Sequence, residues 1–154
     1  MIIEFQKLIP LSIVHDGSNQ PMLNEYSLFV QQTTSSDSEH TDHLLKRIDQ
    51  LRTDNPEINM SLLLTGSMGL SAEIGEFNDV VKKLYFQGKT LDEPTYFHLK
   101  RELGDILWYW INTCRSLSLD PEEVLRENIQ KLRSRYEKGR FSVEESENRK
   151  KNDV

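Results

Sequence analysis

Apolar residues recur at steps of three and four through the middle of the chain. Leu63, Ser67, Leu70, Ile74, Phe77, Val81 and Leu84 mark one stripe at the helix period. Glu73, Glu76, Val80 and Lys83 run just beside it. The pattern predicts one long helix, capped by Asn59 and running to about Phe86, with Gly88 as its stop. At 1.5 Å per residue it is on the order of 40 Å long. Gly66, Gly69 and Gly75 lie inside it, each costing roughly 1 kcal/mol relative to Ala. Their presence in an unbroken stripe points to close approach by another backbone. A second helix starts at Asp92 with Pro94 in its first turn, carries Leu99, Leu103, Ile106, Trp110 and Cys114, and fades after Leu117. A third begins at Asp120-Pro121-Glu122-Glu123, where an acid caps, a proline opens and Glu123 can close a capping box. Val124, Leu125, Ile129, Leu132 and Tyr136 are its apolar side, Asn128, Lys131 and Arg135 form a polar row, and Gly139 ends it.

The flanks are weaker in pattern. Met1 to Gln20 is an apolar, irregular arm, broken by Pro10 and closed by the turn residues His15 to Asn19. A helix is expected from Pro21 or Asn24 through Val30, then a polar linker from Thr33 to Ser38. Another helix carries Leu44, Leu45, Ile48 and Leu51 and closes at Asn55-Pro56. From Ser142 onward few residues can anchor a fold, so 142–154 reads as a flexible tail. The expected organisation is thus an arm over 1–20, a helical domain over 21–141 and a tail, all-α in class.

The chain has 154 residues, enough for one domain or one protomer of an oligomer with a shared core. Two long apolar helices with only short outer ones need a partner to cover Trp108 and Trp110, so a homo-oligomer is expected. A formal net charge of -6 argues against nucleic acid held on a basic face, and no apolar run approaches a membrane span. The single cysteine, Cys114, suits a reducing compartment and reads as a buried apolar residue. The start lacks the pattern of a secretory signal, which leaves the cytoplasm as the expected location.

Chemistry concentrates in two acidic pairs, Glu73-x-x-Glu76 and Glu102-x-x-Asp105. Residues three apart share a helix face, so each pair aims two carboxylates at one point. Four carboxylates beside an apolar core repel one another unless a cation joins them. Oxygen-only ligands favour Mg²⁺, with Mn²⁺ as a substitute, and carboxylate-held Mg²⁺ typically serves a phosphate substrate. Lys83, Lys131 and Arg135 are candidate phosphate partners. Tyr109 shares a face with Glu102, Asp105 and Asn112. His98 lies four before Glu102, but the Glu-x-x-His of di-iron bundles is missing. His40 and His43 read as surface residues.

Glu73-x-x-Glu76, then Glu102-Leu-Gly-Asp105-Ile-Leu-Trp-Tyr, then Asn128-Ile-Gln-Lys131-Leu-Arg-Ser-Arg135-Tyr136 resembles the MazG-like family of all-α nucleoside triphosphate pyrophosphohydrolases. The resemblance covers roughly Asn24 to Phe141. It implies a four-helix bundle, a homodimer or homotetramer, and cleavage of NTPs or dNTPs to the monophosphate and pyrophosphate. By the same resemblance the four acids bind Mg²⁺ and are the catalytic residues, while Tyr109, Asn128 and Lys131 contact the nucleotide or its phosphates. A further family Glu is Ala72 here, and the proline that commonly follows Arg-Tyr is Glu137, so substrate choice stays open. The competing reading is a noncatalytic helical module whose acidic pocket only holds a nucleotide or a partner helix.

Overall fold

The computed structural model describes residues 22–136 and 138–148, so the N-terminal arm and the end of the tail lie outside the described residues. Within them the helices are α1 (Met22–Thr33), α2 (Ser36–Glu39), α3 (Thr41–Asp54), α4 (Met60–Phe86), α5 (Glu93–Ser116), α6 (Pro121–Arg135) and α7 (Val143–Glu147), with no strand among the described residues. The all-α class follows from this. The chain divides into two compact units between Lys46 and Arg47, inside α3.

In the first unit α1 keeps the apolar side of the pattern, Leu23, Tyr26, Phe29 and Val30, exposed. The polar stretch expected as a linker holds the short helix α2 instead, with the Ser35 hydroxyl 2.9 Å from that of Ser38. Small polar side chains that bond locally can close one turn where no apolar face exists.

The second unit is built on a helical hairpin. Asn59 caps α4 by accepting from the Leu62 N–H at 3.0 Å, and Asp92 caps α5 by accepting from the Thr95 N–H at 3.0 Å. Between them Gly88 takes φ +69°, the left-handed geometry that turns the chain after α4. The other end of the hairpin is tied by two bonds across a long sequence gap. The Asn59 N–H donates to the Ser116 carbonyl at 2.8 Å, and the Ser118 hydroxyl donates to the Glu57 carbonyl at 2.6 Å. α4 and α5 share the one extensive helix–helix interface among the described residues.

The seam of that hairpin is not the row that apolar periodicity marks. Gly66, Gly69 and Val80 are buried, whereas Ser67 and Ile74 are exposed and Leu63 and Leu70 half-buried. Glycines carry no apolar weight in a sequence pattern, yet they permit the closest helix approach and so decide which face turns inward. Gly66 sits against Thr113 and Gly69 against the ring of Tyr109, so close that neither has room for a Cβ. Gly75, by contrast, has open space on its Cβ side, and the close approach expected there does not occur. The contacts Gly66–Thr113 and Gly69–Tyr109 set an antiparallel register that brings Glu73 and Glu76 opposite Asp105 and Glu102.

α6 opens on Asp120, which accepts from the Glu122 N–H at 3.0 Å. It ends at Arg135, a turn earlier than Gly139. Gly139 then adopts φ +65° and the chain doubles back, bringing Phe141 to 5.8 Å from the ring of Tyr136. The stretch expected to be featureless contains α7, capped by Ser142 on the Glu145 N–H.

Buried apolar side chains are few among the described residues: Val80 and Cys114. Met68, Leu103, Leu107, Trp108, Leu125 and Ile129 all stay exposed, Trp108 at 57%. No helix among the described residues is long and apolar enough to cross a membrane.

Candidate metal centre

The register places four carboxylates and one imidazole between α4 and α5. Glu102 is the hub. It comes from the seam face of α5 and is only 6% exposed, while Glu73 is half-buried and Glu76 and Asp105 are exposed. One oxygen of Glu102, Oε1, lies 2.9 Å from His98 Nε2, one helical turn earlier on the same face. The other, Oε2, is buried and has no hydrogen-bond partner. A buried carboxylate oxygen without a partner is costly, and the fault is one that a cation repairs.

Two sets of potential ligand atoms meet at this hub. Glu73, Glu102 and Asp105 bring oxygens within 4.8 Å of one another, and so, with a nitrogen, do Glu76, His98 and Glu102. The four acids singled out in the sequence are thus brought together. Burial pushes the Glu73 carboxyl pKa up, and the neighbouring charge of Glu76, the adjacent Glu102 carboxyl and the charge of Asp105 add to the shift. Mutual repulsion of this kind marks a site adapted to a positive guest. The donor set therefore fits a divalent cation.

Tyr109 lies one turn beyond Asp105, half-buried over Gly69, with Trp108 edge-on at 4.8 Å between ring centroids. An aromatic ring is thus held beside the acids. Lys83 stands on α4 beyond Glu76, and its ammonium pairs with Asp79, which Lys82 also contacts at 2.5 Å. Hydrogen bonds from Lys82 and Lys83 hold the Asp79 carboxyl down at about 2. Asn128, Lys131 and Arg135 sit on α6, which shares no interface comparable to that of α4 with α5 among the described residues. Near them, an open groove of about 270 Å³ is lined by Ile129, Leu132, Arg133, Tyr136, Arg140 and Phe141.

One residue of the cluster escaped the sequence-based choice of site. His98 was recognisable by its four-residue spacing from Glu102, but a search for Glu-x-x-His passes over it.

Residues 64–140 match the model of the MazG nucleotide pyrophosphohydrolase domain. The chain belongs to this family. The MazG match spans both helices of the hairpin from Leu64 onward, with α6 and the turn after it. A relative, the Gene 37 protein of Mycobacterium phage L5, is 34% identical over 74 residues, which is 47% of this chain and 65% of that protein. The aligned part is therefore just under two thirds of the relative's length. No solved structure matches the chain significantly.

Proposed function

We propose that this MazG protein hydrolyses nucleoside or deoxynucleoside triphosphates to the monophosphate and pyrophosphate, with water attacking the α-phosphorus and Mg²⁺ as the physiological ion. The observation that carries this reading is the orphaned, buried oxygen of Glu102 at the centre of three other carboxylates. Glu73, Glu76, Glu102 and Asp105 would hold the ion. When bound, it supplies the positive charge that a triphosphate and a pyrophosphate leaving group require. The ring of Tyr109, one turn from Asp105, offers the base a stacking surface. Lys83, by exchanging Asp79 for phosphate, and Asn128, Lys131 and Arg135 are the phosphate-side candidates.

The same reading includes a second copy of the chain and a cytoplasmic location. With Val80 and Cys114 as the buried apolar residues among those described, one protomer has too little core to stand alone. Two α4–α5 hairpins would make the four helices of the expected bundle and cover Met68, Leu103, Leu107 and Trp108. Packing by a second copy is also what would carry an α6 row to an acid cluster. Light scattering at micromolar concentration should return a dimer or tetramer, and a monomer would remove this part.

Hydrolysis of each NTP and dNTP in ¹⁸O-water with Mg²⁺ tests the reaction. Label in the monophosphate, with unlabelled pyrophosphate, is the expected result. Label in orthophosphate beside a diphosphate would place attack at the γ-phosphorus instead. Absence of turnover with every nucleotide would favour a binding module.

A further inference from the structure

We propose that Glu76, His98 and Glu102 form a second cation position, with a nitrogen donor, that selects a first-row transition ion over Mg²⁺. The proposal deepens the metal reading above and rests on it. Its starting point is that His98 belongs to the site by geometry. Nε2 is the ring nitrogen turned inward, 2.9 Å from Glu102 Oε1, and a Glu76 oxygen completes a triplet within 4.8 Å. The triplet shares Glu102 with the all-carboxylate set of Glu73 and Asp105.

Independent support comes from Glu102 itself. Its side chain is more than nine-tenths buried, and Oε2 has no hydrogen-bond partner. If His98 were present only to satisfy Glu102, one oxygen would still be left orphaned. A carboxylate whose oxygens serve different neighbours is suited to lie between two cations, one toward His98 and Glu76, the other toward Glu73 and Asp105. His98 is half open to solvent, so the position can be reached without opening the hairpin.

The donor chemistry separates the two positions. Carboxylates alone suit a hard ion such as Mg²⁺, which dehydrates reluctantly and prefers oxygen. Imidazole adds affinity for Mn²⁺, Fe²⁺, Co²⁺ and Zn²⁺ in rising order, and very little for Mg²⁺. One chain can therefore hold unlike ions side by side.

The test uses the full-length protein and metal alone, without nucleotide. Calorimetric titration with Mn²⁺ should show two equivalents per chain, and with Mg²⁺ one. Pulsed EPR of the Mn²⁺ protein should show ¹⁴N modulation from a directly bound imidazole. His98→Gln should abolish that modulation and weaken the second Mn²⁺ by at least about tenfold. Mg²⁺ binding should stay within about threefold of the parent, because no carboxylate is touched. The chain has 4 histidines, and replacing His15, His40 and His43 by Gln leaves His98 alone. Modulation retained in that triple variant supports the assignment even if His98→Gln fails to fold. Mn²⁺ bound without ¹⁴N modulation would overturn it and leave His98 as a hydrogen-bond partner of Glu102, with the carboxylate site intact. Failure to bind either ion would instead overturn the metal reading as a whole.

Discussion

Gly69→Ala and Gly75→Ala, two identical changes six residues apart in α4, should move stability in opposite directions. In an exposed helix interior alanine is favoured over glycine by about 0.8–1 kcal/mol, chiefly through lower backbone entropy in the unfolded chain. Gly75 has nothing within 4 Å of a built Cβ, so Gly75→Ala should realise that gain in full. At Gly69 the new methyl would fall within 3.0 Å of three ring atoms of Tyr109. A ring is stiff, and Thr113, one turn on, anchors the same stretch by donating its hydroxyl to the Tyr109 carbonyl at 2.9 Å. Overpacking of this kind costs about 1–3 kcal/mol. Subtracting the propensity gain leaves Gly69→Ala destabilised by about 0–2 kcal/mol, and separates the two variants by about 1–3 kcal/mol. Urea unfolding at fixed protein concentration, with Gly104→Ala as a second open-space control, measures the difference. In melting temperature the gap should be about 2–4 °C per kcal/mol for a chain of this size. If Gly69→Ala were as stable as Gly75→Ala, the close approach of α4 and α5 would be refuted. The register that assembles the acids would fall with it.

Glu76→Gln and Asp105→Asn should each abolish turnover yet leave the metal-free protein as stable or more so, by about 1 kcal/mol, because a repelling charge is removed. Mg²⁺ should raise the melting temperature of the parent more than that of either variant, and unfolding of both would show these acids to be structural. For Glu73, whose folded pKa lies above its usual 4.5, the stabilising form is the protonated one; its contribution is full below that value and lost as pH rises through the folded pKa. Glu73→Gln should therefore stabilise the metal-free protein at neutral pH, with the advantage vanishing as pH falls to 4.5; a pH-independent difference would contradict the assignment. Asn59→Ala should cost about 1 kcal/mol through loss of the Leu62 N–H bond, read as a lowered urea midpoint at unchanged slope. Lys131→Ala should weaken use of all nucleotides alike, whereas Tyr109→Ala should alter the ranking of bases; unchanged kinetics for Lys131→Ala would exclude it from the site.

Local chemistry was legible without coordinates. Asn59 and Asp92 cap where their residue types and positions place them, and the long helices begin as their caps and prolines dictate, because these signals involve only neighbours in sequence. The two acidic pairs and the family motif were equally plain, since three-residue spacing on a helix needs no tertiary context. What tertiary structure alone decided is which face of α4 meets α5. Apolar periodicity favoured the row of Leu63, Leu70 and Ile74, while the packed seam runs through Gly66, Gly69 and Val80. Helix approach depends on the absence of side chains, which a count of apolar side chains cannot register. That choice of face sets Glu73 and Glu76 opposite Asp105 and Glu102, and leaves one oxygen of Glu102 without a hydrogen-bond partner. His98 joins the site for the same reason. Four-residue spacing put it beside Glu102, but the register of a second helix was needed to set Glu76 opposite both.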